Sequence, residues 1–254
     1  MDDWDAHWRL FGRSASENPA QNYRHRLLVS LLKGRARTSS MKLLDLGSGH
    51  GDFLAKAAEA CPECELAGFE LSESGVLMTR QKVPQARVFT ADLFAPPPEV
   101  TPLLGWATIS VCSEVLEHVD DPVRFLRASR PYLATGAALI VTVPRGPMSA
   151  FDQHIGHRQH FTQQSIARIL AAAGFEVEQV FLAGFPFFNL YRALIIARGH
   201  RLVRDATSKS GGVPSLFARS VMAVFGFLFR ANLLRSSFGW QIVAIATKDA
   251  SGDQ

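Results

Sequence analysis

Cysteine is scarce, with three in 254 residues. That is too few for a secreted disulfide scaffold, and an odd count leaves at least one thiol free. No run of about 18 uninterrupted apolar residues exists, which argues against a transmembrane helix. The opening MDDWDAHW is acidic and aromatic and lacks the pattern of a signal peptide. Internal repeats and low-complexity tracts are lacking too. The expectation is a cytoplasmic protein in a reducing compartment. What is present, 47% hydrophobic and 20% charged residues, describes a globular chain. It excludes a disordered, collagen-like or coiled-coil protein. The length suits one large domain, or one domain with an addition.

Charge is unevenly placed. Residues 185–238 carry eight basic side chains (Arg192, Arg198, Arg201, Arg204, Lys209, Arg219, Arg230 and Arg235) and one acid, Asp205. That segment is +7, which leaves the rest at −3 given the overall +4. It also holds eight of the 18 phenylalanines. An aromatic, basic module therefore sits on an acidic body.

Apolar runs alternate with helical patterns along the chain. Strands are expected at Met41–Leu46, Leu66–Leu71, Ala86–Leu93, Trp106–Val111, Ala138–Val143, Phe175–Phe181 and Gln241–Thr247. Helices are expected at Asp52–Ala60, Ser72–Lys82, Asp121–Leu133 and Thr162–Ala173. Ser72 is a cap candidate, Pro122 opens the third of these helices, and Gly174 closes the fourth. The Pro96–Pro98 run reads as a loop. The alternation argues for an α/β fold with a doubly wound sheet.

The strongest motif is LLDLGSGHGDF, residues 43–53. A strand ends near Asp45, then Gly47, Gly49 and Gly51 occupy alternate positions before a helix. Ligands of open α/β sheets bind beyond the carboxyl ends of the strands, where glycine lets backbone approach closely. A phosphate-binding P-loop requires a Lys followed by Ser or Thr, absent here. A dinucleotide fingerprint requires glycine at position 52, which is Asp. An Asp at a helix start also repels pyrophosphate. A cationic, zwitterionic ligand fits better, with Asp45 receiving an ammonium directly or through water.

This motif resembles the first motif of class I S-adenosylmethionine-dependent methyltransferases. Further segments strengthen the resemblance: AGFEL ending in Glu70 and Leu71, TADLF with Asp92 and Leu93, SVCSEVLEHVDDP at 110–122, AALIVTVP, and HRQHFTQQSIARILAAAGFEV. ENPAQNYRHRLL resembles the helix that closes over the cofactor. The similarity covers residues 18–184 and the last strand. The 110–122 segment resembles the subgroup of ubiquinone-pathway O-methyltransferases. The resemblance implies a Rossmann-like seven-stranded methyltransferase sheet with helices on both faces. It implies S-adenosylmethionine as cofactor and S-adenosylhomocysteine as product. It also implies cofactor contacts at Tyr23, Arg24, Asp45, Gly47, Ser48, Gly49, Gly51, Glu70, Leu71, Asp92, Leu93, Ser113 and Glu114. In the family, the acid at Glu70 accepts both ribose hydroxyls and the acid at Asp92 meets the adenine amino group. Each residue alone also has a plain structural reading, as a turn, a cap or a solvated acid.

His118 and His157 are the catalytic candidates, as proton acceptors or substrate ligands. Glu114 and His118 share a face if their segment is helical. In the ubiquinone-pathway relatives this segment can bind a divalent cation, and oxygen ligands suit Mg²⁺. The same string occurs in methyltransferases without metal dependence, so no metal is favoured. His154, His157 and His160 could be read as a zinc cluster, but Gly156 interrupts them and no cysteine lies near. The resemblance points instead to a loop with His157 and Arg158 facing the ligand. Cys61-Pro-Glu-Cys64 follows a helix rather than opening one, so it reads as a turn, not a redox motif.

Three regions result: a helical cap at 1–40, the core at 41–184 and 239–250, and a helical insert at 185–238 between the sixth and seventh strands. A connection this long is a functional element more often than a passive loop. Two readings stay open for it. It is a lid or homodimer element, or it makes peripheral contact with the inner face of a membrane through aromatics and arginines. The acceptor is a small molecule or a lipid-linked one, and nucleic acid is not expected. The expected activity is methyl transfer, O-methylation in biosynthesis. The alternatives are a catalytically silent cofactor-binding module and an enzyme that uses the same cofactor for other chemistry.

Overall fold

A computed structural model describes residues 4–6, 8, 16–35, 41–207 and 216–249. Seven strands form one sheet in the order β3-β2-β1-β4-β5-β7-β6. They are β1 (Lys42–Leu46), β2 (Glu65–Glu70), β3 (Arg87–Thr90), β4 (Ala107–Ser113), β5 (Leu133–Pro144), β6 (Phe175–Ala183) and β7 (Gln241–Lys248). Strands β1 to β5 pair in parallel, and β7 runs antiparallel to both β5 and β6. Strand order reverses between β1 and β4, which opens a crevice at their carboxyl ends. The seven-stranded fold with helices on both faces is as the sequence implied.

Both faces are covered because successive strand residues point to opposite sides. Leu44, Leu46, Phe69, Leu139 and Val141 pack with Leu126 of α4 (Pro122–Ser129) and Ile166 and Leu170 of α6 (Gln163–Ala172). On the other face, Leu43, Leu66, Ile109 and Ile140 meet three helices. These are α1 (Pro19–Arg35), α2 (Asp52–Ala60) and α3 (Glu73–Lys82). Leu28 and Leu54 are fully buried there. Truncating either to Ala would cost about 2–5 kcal/mol.

Several element ends differ from expectation, most clearly at the third strand, the third helix and the fifth strand. The third strand is four residues long, Arg87–Thr90. The helix expected at Asp121–Leu133 stops at Ser129, and a tight turn at Arg130–Tyr132 hands the chain to β5, which begins at Leu133. Pro131 explains this, because it lacks the N–H a continuing helix needs. Cys61 and Cys64 lie on the turn into β2, as read, and are joined as a disulfide there, while Cys112 is a buried free thiol.

The insert holds α7 (Phe187–Thr207), interrupted at Gly199, and α8 (Leu216–Leu228). A small helix, α5 (Ala150–His154), precedes α6. Asn232 caps α7 by accepting from the Phe187 and Phe188 N–H groups. An aromatic cluster of Phe188, Phe225 and Phe229 seats the insert on Tyr23 of α1. No helix among the described residues is long and apolar enough to cross a membrane.

Candidate functional site

The glycine turn follows β1 directly. Gly47, Gly49 and Gly51 all have positive φ, at 79°, 56° and 83°, a region L-residues rarely enter. Added bulk is also barred, since a Cβ on Gly47 would lie 2.6 Å from the Val115 side chain. The turn is fastened to β2, because Gly47 and Ser48 both donate to the Phe69 carbonyl, at 2.8 and 2.9 Å. Glu70 holds its far side, accepting from Gly49 N at 2.7 Å and Ser72 N at 3.0 Å.

Asp45 and Glu70 are both buried at this edge. Burial, then the nearby Glu70 charge, pushes the Asp45 carboxyl up to about 8. Burial likewise raises Glu70, against the pull of its N–H donors. Two buried acids that pair with no cation among the described residues form a site that favours a positively charged ligand. Ser48 Oγ is buried beside them without a hydrogen-bond partner. A narrow glycine cradle, two acids and an unpartnered hydroxyl match the donor and acceptor needs of S-adenosylmethionine. Asp52 is engaged elsewhere. Its carboxylate meets His50 at 2.9 Å and Lys82 at 2.5 Å. Burial works upward on it, but those partners more than offset this and hold it well below the usual carboxylate range. Asp52 therefore repels a pyrophosphate less than its position at the helix start implies, since its charge is already compensated.

The remaining expected cofactor residues divide. Leu93 is buried, Leu71 is exposed, and Asp92 accepts from Phe94 N at 2.9 Å, a local turn. Arg24 reaches the crevice, with its Nε 3.6 Å from Glu114. Glu114 ends β4 with φ 56° and also accepts from Gln241 at 2.8 Å and Thr142 at 3.2 Å. Ser113 pairs with Thr142 at 2.8 Å. Tyr23 is placed differently from expectation. Its ring is committed to the insert's aromatic cluster, and burial pushes its hydroxyl up to about 12.

The segment after β4 also differs from expectation. Residues 116–118 form one tight turn, not the helix that would align Glu114 with His118. Glu114 turns to Arg24 and Gln241. Glu117 is instead the acid that joins His118, and His157 joins both, with ligand atoms all within 4.8 Å. Glu117 is fully buried, neither of its oxygens has a hydrogen-bond partner, and burial followed by Glu114 raises its carboxyl. This mixed oxygen and nitrogen set could hold a divalent cation. Asp152, His157 and His160 form a second such group, although Asp152 is already claimed by Arg192. His154 is exposed and outside both groups, so the three evenly spaced histidines do not converge.

The histidines form a hydrogen-bonded network. His160 Nδ1 lies 2.9 Å from the Gly146 carbonyl and donates to it, because a carbonyl oxygen only accepts. His157 Nδ1 and His160 Nε2 share a hydrogen bond at 3.1 Å. The His157 ring packs edge-on to His118 at 4.8 Å. Burial, then the His118 charge, lowers His157 to about 3. Arg158, expected to face the ligand, pairs with Asp120 instead.

Three features escaped the sequence reading. Trp4 and Trp8 roof the site. Trp4 meets His118 at 4.9 Å and Trp8 meets His50 at 4.8 Å, while a Cβ on Gly49 would strike Trp8 at 2.8 Å. Asp5 fastens this strap to the start of α3 through Ser72 Oγ and Ser74 N, at 2.7 and 2.9 Å. The third is the fork from Arg192 in the insert to Asp152, at 2.8 and 2.9 Å. The i, i+4 tryptophans were a visible signal for the strap. Nothing local signalled the Arg192–Asp152 pair. The roof is therefore the strap, whereas α1 packs on the sheet and reaches the crevice through Arg24.

Comparison with known proteins bears on this geometry. Residues 20–180 match a family model described as a methyltransferase domain. The chain is 31% identical over 144 residues to a trans-aconitate 2-methyltransferase of Acidovorax ebreus, covering 57% of this chain and 51% of that protein. It thus spans about half the length of the curated relatives it matches. Among solved structures, phosphoethanolamine N-methyltransferase 2 of Haemonchus contortus, in complex with S-adenosyl-L-methionine, superposes with TM-score 0.56 at 16% identity, covering 88% of this chain and 52% of that one. Geranyl diphosphate C-methyltransferase of Streptomyces coelicolor, bound to Mg²⁺, geranyl diphosphate and S-adenosyl-L-homocysteine, gives 0.53 at 13%, covering 87% and 76%. At these identities the structural likeness speaks to the fold alone. None of these matches supports the ubiquinone-pathway subgroup.

Proposed function

We propose, on the premise that this chain belongs to the class I S-adenosylmethionine-dependent methyltransferases, that it methylates an oxygen of a small organic acid. One observation carries the reading. Asp45, Glu70 and Glu114 stand at the carboxyl ends of β1, β2 and β4, and His118 and His157 close the same crevice. Asp45 and Glu70 would hold the cofactor's cationic and ribose ends, with the Gly47–Gly51 turn against it and Trp8 above. When bound, that cofactor supplies a methyl group already activated by a positive sulfur.

The chain's own residues then have mainly positional work. The tryptophan strap excludes water from the crevice. His157, lowered to about 3, is a poor proton acceptor near neutral pH, because an efficient base has its pKa near the working pH. A carboxylate acceptor needs no proton removed, which suits a neutral His157 that positions the acceptor without deprotonating it. The curated relatives, named for trans-aconitate, agree with an acidic acceptor. In this reading Glu117, His118 and His157 contact the acceptor, directly or through a divalent cation.

The test is calorimetric titration with S-adenosylmethionine, followed by product analysis with a panel of organic acids. Binding with release of S-adenosylhomocysteine and an ester product supports the proposal. Binding without turnover on any acceptor would instead favour a silent cofactor-binding module.

A further inference from the structure

The insert presents an apolar and basic outer surface that its packing leaves uncovered. On α7, Leu190 and Leu194 stand one turn apart and exposed. On α8, Val224 and Phe227 do the same, and Phe227 is 68% exposed. Leu233, Leu234 and Phe238, after α8, are exposed as well, and Phe238 is 66% exposed. These seven are most of the large exposed apolar side chains among the described residues, although the segment is about a fifth of the chain. Such concentration on a water-soluble surface marks a contact site.

The charge on this surface narrows the occupant. Arg198, Arg201, Arg204, Arg219, Arg230 and Arg235 are all exposed. Arg230 lies over the Phe227 ring at 5.8 Å and Arg235 over Phe181 at 4.5 Å, so the cations border the apolar side chains. A second copy of the chain would set one strongly basic surface against another, which a two-fold interface disfavours. Anionic headgroups complement this net positive charge, and acyl chains receive the apolar side chains. Neither α7 nor α8 is long and apolar enough to span a bilayer.

We propose that residues 185–207 and 216–238 seat this protein on an anionic lipid surface, with Phe227, Leu233, Leu234 and Phe238 in the acyl boundary and the arginines at the phosphates. The Arg192–Asp152 fork ties this seat to the loop that carries His157 and His160, so the crevice is held beside the bilayer. The inference is independent of which acceptor is methylated.

Flotation of the full chain with vesicles tests it. One set is phosphatidylcholine alone, and the other is equal parts phosphatidylcholine and phosphatidylglycerol, each at low and moderate salt. Flotation with the anionic vesicles, weakening as salt rises, is expected. Phe227→Ser with Leu234→Ser should lower anionic vesicle binding at least tenfold, and so should Arg230→Ser with Arg235→Ser. Both pairs are exposed, and unchanged thermal unfolding of each variant confirms its fold. Failure of the full chain to float with anionic vesicles overturns the proposal. Loss of binding in the arginine pair alone also overturns it, because that result describes charge attraction without insertion. Sedimentation velocity covers the remaining occupant. A dimer abolished by Phe227→Ser, in a protein that ignores both vesicle types, assigns the surface to self-association.

Discussion

Asp45 and Glu70 end neighbouring parallel strands, and the charge of Glu70 adds to burial in holding the Asp45 carboxyl near 8. A cationic ligand reverses that balance, because it favours the ionised form. Binding the cofactor's cation to a neutral Asp45 therefore releases a proton. The affinity for S-adenosylmethionine should rise with pH, by up to about tenfold per unit below pH about 8, and level off above it. Asp45→Asn should bind weakly with no such slope, and calorimetry across pH 6 to about 9 reads both. The same substitution should raise the melting temperature of the ligand-free protein at neutral pH, since it removes a buried acid whose ionisation opposes folding.

Gly51 offers a test of the turn as a structural device. It stands at φ 83° at the start of α2, and a Cβ there would lie 2.9 Å from the Thr79 backbone Cα. Backbone cannot give way as a side-chain tip can. Gly51→Ala should lose about 1–3 kcal/mol of stability in urea titration, from left-handed strain and overlap together. A neutral effect would mean that the turn and α3 shift more freely than the contacts indicate.

The Arg192–Asp152 pair gives a pH signature. Burial alone would raise Asp152, but the Arg192 fork and Ser149 more than offset it and hold it well below the usual range. A depressed carboxyl contributes stability that is present above its unfolded pKa near 4 and lost as pH falls through the folded value. The wild-type chain should therefore lose part of its stability on acidification below about pH 4. Arg192→Ala should cost about 3–5 kcal/mol at neutral pH, because it strands a buried charge, and should flatten that acid slope. Denaturation at two pH values distinguishes this from simple loss of packing.

His157 is expected to act as a ligand and not as a titrating base. With an acidic acceptor, His157→Asn should lower kcat/KM by about 10–100-fold, and the activity profile between pH about 5 and 8 should carry no inflection that disappears in the variant. An inflection near neutral pH that vanishes with the substitution would return proton abstraction to His157.

Much of this architecture is readable in local pattern. Apolar runs interrupted by amphipathic stretches specify strands with crossover helices, so a doubly wound sheet follows from residues adjacent in the chain, while its seven-stranded form came with the family resemblance. The Gly47–Gly51 turn was legible for the same reason, since positive φ and close approach restrict those positions to glycine. Asp45 and Glu70 stand at strand ends, which the pattern locates within a residue or two. The insert was legible as a composition change.

Other parts rest on contacts between distant segments. Sequence spacing suggested Glu114 with His118, but a tight turn at 116–118 replaces the helix, and Glu117 takes that place. Tyr23 sat beside Arg24 in a cofactor-like string, yet the insert's Phe188 and Phe229 claim its ring.

The sequence by itself determined the sheet, the glycine turn, the two strand-end acids and the presence of a basic aromatic insert. These depend on periodicity, glycine geometry and composition, which are properties of neighbouring residues. Only the tertiary structure decided that Trp4 and Trp8 roof the turn, that Arg192 neutralises Asp152 forty positions away, and that His118 and His157 meet. Those relationships arise when packing brings remote groups out of water together, and burial then sets both their charge states and their partners.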